Sequence, residues 1–585
     1  MAMTLSTPFR IPLMLALAVA SLSVAASACS SSGGASSNGA SPDGGSSGSS
    51  GGGSSGGSSG GSSGGSGGSS GSSGGGSSSG SGSGGSSGGS GDAGTGASVP
   101  FQALHTYYIS PTGSDTNSGT SPSTAWATPK HSLDCGDVVI AEAGTYSKGQ
   151  FGAGNWGAVA SCPSTTGGID GKGGVYFSVL LCAGPDMTSC MVDGGSNEAF
   201  RVDASNWAVE GFTTTQLATA SAGGFAIACN TATSETTTTQ HHIAFINDIA
   251  SNCDAAGFGS DSWNGPGGGV DQYAAVGVIA YNAAPSQGGQ ICGSGISIIP
   301  VDGPDTSPGT HVFVAGAFSY RNINAQTGEG CNTDGEGLIF DSWGVQPYSH
   351  QAVAEQNAFW GNGGPGFEAF PQGNGTSDDQ ATIVVFDNTS YGNYQDPKHV
   401  GSGDLMLNGI YPTTGSYTFT NNIFVATQGS SAGGTVYGAA VACKNGCPQS
   451  VLSIDGNTLW NSHAPTTTTP GGDNTTAYYS GANQGASFPW GTNTYDSPGL
   501  ANASALPSSA PSCATYANTT ACMIAAGVPG DLTPSGGAAG KGYKPPGACA
   551  ADAYYPTWLK GVVYLSANGA VLTENTGLIT KPCDL

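Results

Sequence analysis

Two decapeptides lie eighty residues apart and share one pattern. Residues 254–263 read DAAGFGSDSW and residues 334–343 read DGEGLIFDSW. Each sets an Asp, a Gly three residues on, a second Asp at the eighth position and a Trp at the tenth. Carboxylates can hold a hard cation, exchange protons or accept bonds from sugar hydroxyls, while an indole lies flat on a sugar ring. Asp254, Asp261, Asp334 and Asp341, with Trp263 and Trp343, can do such chemistry only if the chain brings them to one wall.

The surrounding sequence supplies that wall by repetition. Asn357-Ala-Phe-Trp-Gly-Asn362 recurs as Asn388-Thr-Ser-Tyr-Gly-Asn393, with looser copies at 317–322 and 457–461. Each copy follows a short β-rich run, such as QAVAEQ at 351 or TIVVFD at 382. The copies start about 30–40 residues apart, a period expected of a solenoid with some enlarged loops. Asparagines stacked at a bend can bond each other's amides along the axis. A β-sandwich would not need one motif at every turn, so the expectation is an all-β coil.

A second strand should follow each asparagine bend, at GFAIA (224–228), GFGSD (257–261), GISII (295–299), GLIFD (337–341), GFEAF (366–370) and DLMLN (404–408). Side chains alternate in a strand. Phe225, Phe258, Ile296, Leu338, Phe367 and Leu405 then face the core. The outward columns carry Asp261 and Asp341 in one line and Glu368 in the other. Coils stack at about 4.8 Å, so Asp261 and Asp341 should stand roughly 10 Å apart and Glu368 about 8 Å from Asp341. Asp254, Asp334 and Glu336 belong to the bend feeding this face, and Trp263 and Trp343 leave it on the far side. Two carboxylates about 8–10 Å apart suit inverting hydrolysis of a glycan, with Asp341 and Glu368 as the pair. The same aspartates could instead cap bends. A glycan-binding or adhesin scaffold without catalysis fits the same residues.

The opening of the folded part, YYISPTGSDTNSGTSPSTAWATPKHSLDCGDVVIAEAGTYS (107–147), resembles the amino-terminal cap of secreted right-handed parallel β-helix proteins of the pectate-lyase-like superfamily. NTDGEGLIFD and AVAEQNAFWGNGGPGFEAF are similar to two further motifs of that lineage, although Glu336 stands where Asn is usual and Ser342 where a second Asp is common. The resemblance implies a single-stranded right-handed parallel β-helix. It also implies a calcium-assisted polysaccharide lyase as one activity. In that reading Asp254, Asp261, Asp334 and Glu336, alongside Asp341, supply Ca²⁺ ligands, and Arg321 removes the proton next to a uronate carboxylate. Trp263 and Trp343 would bind the sugar.

The ends and the composition bound the setting. Residues 1–28 carry Arg10, an apolar run and the triplet Ala26-Ser27-Ala28 before Cys29, which reads as a secretory signal. The triplet resembles a bacterial lipobox, with Cys29 as the lipidated residue. Residues 29–98 then form a lipidated cysteine and a Ser/Gly tether whose reach is roughly 40–50 Å. Residues 99–500 are assigned to the coil and 501–585 to a carboxy-terminal cap with a strand pair, in which Trp558 and Lys560 are structural. The expectation is a monomer, exported and lipid-anchored to a bacterial outer membrane or cell surface, acting on extracellular polysaccharide.

Apart from Cys29, fourteen cysteines remain, an even number that fits a disulfide framework. Sequence neighbours suggest Cys182–Cys190, Cys443–Cys447, Cys513–Cys522 and Cys549–Cys583. With Asp43, Asp92 and Arg10 set aside, the chain beyond residue 98 keeps 35 acids against 11 bases. That balance excludes nucleic acid as a partner. A polyanionic substrate would need calcium or a local base to offset the repulsion.

Overall fold

The computed structural model describes residues 101–559 except 167, 170–172, 196–197, 217–227, 235–237, 254–255, 262–268, 284–292, 324–334, 342–347, 372–379, 396–402, 411–414, 428–429, 432–433, 436–438, 445–446, 448–449, 462–475, 480–489, 510–511, 517 and 545–552. Each turn of chain lays one strand in each of three sheets. Sheet 1 has eleven strands from Thr106–Ile109 to Leu452–Asp455, and sheet 2 has ten from Gly144–Ser147 to Thr458–Asn461. Sheet 3 has nine, from Phe200–Val202 to Thr476–Tyr479. Neighbouring strands are parallel throughout, except that Thr476–Tyr479 closes sheet 3 antiparallel to Ala439–Lys444. This is the all-β right-handed parallel β-helix that the sequence implied.

Inward-facing residues of all three sheets form one apolar column. Phe258, Ile296, Leu338, Phe367 and Leu405 are fully buried in it and pair coil upon coil as expected. One register differs. Phe225 lies outside the described residues, and Ala228–Thr233 is the strand that pairs with Ala256–Asp261, setting Asn230 opposite Phe258. The Cys229–Cys253 disulfide ties this strand to the entrance of the next coil, a constraint that apolar spacing alone does not reveal.

Two asparagine ladders hold the corners. Between sheets 1 and 2, Asn357, Asn388, Asn422 and Asn457 each pass an amide N–H to the side-chain carbonyl of the next, ending on Asn493, at 2.9–3.1 Å. Between sheets 2 and 3, Asn322 bonds Asn362 at 2.9 Å and Asn362 bonds Asn393 at 2.8 Å. This second ladder ends on Asp404, whose Oδ1 accepts from Asn393 and Ser390. Residues beside the ladders adopt left-handed backbone, which Gly and Asn reach at least cost. At the second corner these are Asn252, Asn282, Arg321, Gly361 and Gly392.

The carboxy-terminal region extends the last coil through bridges from Trp490 to Ile454 and from Thr494 to Thr458. It then runs back along the outside of the coil. Met523, Val528 and Leu532 cover Ile249, Ile279 and Phe318 on sheet 2. Tyr555, Trp558 and Leu559 cover the apolar outer face of sheet 1, and the Trp558 indole donates to the Thr310 carbonyl at 2.8 Å. Trp558 is thus structural, as expected. Lys560 and the expected strand pair lie outside the described residues. Disulfides Cys182–Cys190, Cys443–Cys447 and Cys513–Cys522 form as anticipated, joined by Cys135–Cys162 and Cys229–Cys253. Cys549 and Cys583 are not among the described residues.

Candidate functional site

The described tail residues pack on sheets 1 and 2. On the outer face of sheet 3, Ile339, Glu368, Met406 and Asn408 are buried, and Asp341, Phe370 and Lys444 are the residues partly open to solvent. The two outward columns of this sheet follow from the register. One runs Gly259, Ser297, Ile339, Glu368, Met406 and Ala442. The other, at the carboxyl ends of the strands, holds Asp261, Asp341, Phe370, Asn408 and Lys444.

Asp341 pairs directly with Phe370 on the next coil and is half-buried. Asp261 follows Ser260, and Ser260 and Phe340 both pair with Ile298, so Asp261 and Asp341 occupy one line two coils apart. At about 4.8 Å per coil the backbone separation is roughly 10 Å. Glu368 is one coil beyond Asp341 and two residues back, about 8 Å on the same spacing. It is 3% exposed and accepts a bond from Asn408 Nδ2 at 3.0 Å. Glu368 is therefore held in place within the wall, whereas Asp341 stands closer to solvent.

Glu336 does not join them. It lies at the amino end of its strand, fully buried, and accepts a bond from the Ser294 hydroxyl. Five residues of extended chain separate it from Asp341, about 16 Å. Arg321 stands at the corner entering sheet 3, exposed, with φ of 58° where the other coils place Asn or Gly. Arginine in that conformation costs about 1–2 kcal/mol. It makes no ion pair among the described residues. Arg321 and Asp341 thus flank opposite edges of the sheet. Asp254, Asp334, Trp263 and Trp343 lie outside the described residues, as does the lipidation site Cys29. Of Asp261 only the strand position is described.

Sequence reasoning missed Lys444. It ends Ala439–Lys444 and shares the Asp341 column three coils on, roughly 14 Å away along the axis. The signal was present in the alternation after Cys443, a core residue, but the loops around 445 hid which coil the strand belonged to. A lysine in this line could meet a substrate carboxylate as the cation or take a proton as the neutral amine.

The carboxylates fit calcium only in part. Oxygen-rich hard-cation sites need six to eight ligands within 2.3–2.6 Å of the ion, and Glu336 is committed elsewhere. Asp341 is the partly exposed carboxylate of this column among the described side chains, and its neighbour on the next coil is Phe370, so the described wall supplies too few oxygen ligands for Ca²⁺.

No family model matches the chain, and no curated protein matches it. Among solved structures it is similar to pectate lyase Pel9A, at 17% identity over 61% of this chain and 80% of that one, with a TM-score of 0.31. A rhamnogalacturonan lyase matches at 15% identity over 60% and 87%, TM-score 0.29. The A-module of Azotobacter vinelandii mannuronan C-5 epimerase AlgE4 matches at 14% identity over 61% and 86%, TM-score 0.26.

Proposed function

We propose that this β-helix acts on extracellular polysaccharide along the outer wall of sheet 3, as a lyase. The observation that carries the reading is the single outward column holding Asp261, Asp341, Phe370 and Lys444 at coil spacing. Such a column repeats at intervals comparable to sugar units and combines carboxylates, a ring and a cation. In β-elimination a base removes the C5 proton of a uronate, electrons form the C4–C5 double bond, and the glycosidic oxygen leaves with a proton from solvent or an acid. Lys444 and Arg321 are the candidate bases, each for a uronate bound beside it; Asp341, roughly 14 Å from Lys444 along the axis and at the opposite sheet edge from Arg321, orients a hydroxyl of another sugar of the same polymer.

Hydrolysis is the second reading, favoured by the roughly 8 Å between Asp341 and Glu368, a spacing that leaves room for an inverting water. Export through the amino-terminal signal and anchoring through Cys29 complete the proposal; export is supported by five disulfides among the described residues, since such bonds persist in oxidising compartments.

The test is digestion of a glycan panel with and without chelator, reading ultraviolet absorbance from unsaturated ends and reducing sugar separately. Absorbance that needs calcium supports the lyase, reducing sugar without absorbance supports the hydrolase, and binding without either leaves a scaffold. Asp341→Asn is expected to lower turnover by at least about 100-fold, within the range for a positioned acid or base. Unchanged activity in that variant removes this wall from the chemistry.

A further inference from the structure

Four of the eight histidines of the chain gather where the chain turns from sheet 3 into sheet 1: His241, His242, His311 and His350. We propose that Asp271, His311 and His350, contributed by three successive coils, bind a divalent metal of the zinc class. One oxygen of Asp271 and one ring nitrogen from each histidine lie within 4.8 Å of one another. The trio sits just beneath the surface: the Asp271 side chain is 0% exposed, His311 2% and His350 11%.

Three features of the local fold serve these side chains. Thr310 pairs with Gln351 and Val312 with Ala352, so His311 is the extra residue of a bulge. Bulges re-aim a side chain at a chosen spot. Asp271 Oδ1 faces His311 Nδ1 at 2.8 Å and accepts from the Gln272 amide, while its buried Oδ2 has no hydrogen-bond partner among the described residues. A buried carboxylate oxygen left unmatched is costly, and a metal ion would satisfy it. Gly303 passes directly over this oxygen, and a Cβ there would stand 2.6 Å from it. Only glycine lets the loop close on the carboxylate.

The outer shell has the arrangement that metal-bound imidazoles require. A ligating histidine commonly gives its other N–H to a carbonyl or carboxylate, which fixes its tautomer. His311 Nε2 faces the Ser307 carbonyl at 3.1 Å, and His350 Nε2 faces Asp302 Oδ1 at 3.6 Å. The His311 ring thus keeps Nδ1 on the side of Asp271. The rings stack at 3.7 Å, and tetrahedral ligands about 2.0–2.1 Å from zinc stand about 3.3 Å apart. The planes are only 7° apart, so binding needs the His350 ring to turn until its nitrogen points at the ion, and Asp271 and His311 to separate by about half an ångström. Two nitrogens and one oxygen select zinc-like ions over calcium, which prefers oxygen throughout. A fourth position remains for water. This site stands independently of the proposed wall on sheet 3.

The full purified chain, stripped with chelator, is titrated with Zn²⁺ and separately with Ca²⁺ by calorimetry. One Zn²⁺ per chain is expected, undisturbed by excess Ca²⁺. His350→Phe keeps a stacked ring and removes the nitrogen; its zinc affinity should fall by about 100-fold. His105→Ala, remote and half-exposed, should bind as wild type. Should His350→Phe fail to fold, Co²⁺ loaded into the wild-type chain decides: strong visible bands of a four-coordinate nitrogen and oxygen site support the proposal. Absent stoichiometric zinc, absent cobalt bands, or unchanged affinity in a folded His350→Phe would reduce the trio to an ordinary His311–Asp271 ion pair.

Discussion

Replacing Asp404 by Asn should make the fold more stable at alkaline pH and leave it nearly unchanged in acid. Asp404 is completely buried at the end of the second asparagine ladder, and burial pushes its carboxyl up to about 7 even though Asn393 and Ser390 donate to it. The unfolded chain holds the same group near 3.9. Between these values the folded protein keeps a proton that the unfolded chain releases. The stabilisation is therefore complete below about pH 4 and is lost as pH rises through about 7. Three units at 1.36 kcal/mol each correspond to about 4 kcal/mol across that window. An asparagine offers the same acceptor oxygen and an N–H in place of the acidic O–H, so it removes the pH dependence without opening a cavity. Burial also pushes His242 down to about 3, giving an opposite slope on the acid side. The difference between wild type and variant cancels that contribution. Urea midpoints and melting temperatures at pH 4.5, 6 and 8 provide the measurement. Asp404→Asn is expected to match wild type within about 1 kcal/mol at the lowest pH and to exceed it by about 3–4 kcal/mol at the highest. Parallel profiles for the two proteins would refute the reasoning.

Two further outcomes are expected. Lys444→Ala should abolish formation of unsaturated products, a loss of about 100-fold or more, while melting within a few degrees of wild type; retained elimination would leave Arg321 as the base. Asn388→Ala strips bonds to Asn357, Ala354 and Asn422 in one buried corner. At about 1–3 kcal/mol for each buried group left unsatisfied, it should lower stability by about 3–5 kcal/mol. Denaturant unfolding and amide exchange around residues 354–422 would read it; a change below about 1 kcal/mol would mean the ladder is ornamental.

Much of this molecule was legible in one dimension. Alternation placed Phe258, Ile296, Leu338, Phe367 and Leu405 in the core, and the repeated asparagines announced corners that do carry amide ladders. The same alternation aligned Asp261 with Asp341. These features depend on periods of two residues along a strand and one coil along the axis, which local sequence records. The shift at residues 228–233 escaped because the strand sets the polar Asn230 opposite Phe258, where apolar spacing selects Phe225.

The tertiary structure decided matters that no local pattern encodes. Glu336 and Asp341 share one motif, yet a strand's length puts them at opposite edges of sheet 3. Lys444 reaches the column of Asp341 across a hundred residues, because each loop of unequal length still returns the chain to the same stack. Asp271, His311 and His350 are spaced irregularly in sequence and meet only because three coils turn at one corner and a bulge rotates His311 inward. Sequence fixes what repeats with the coil; side chains gathered by loops of arbitrary length are set by closure of the backbone in space.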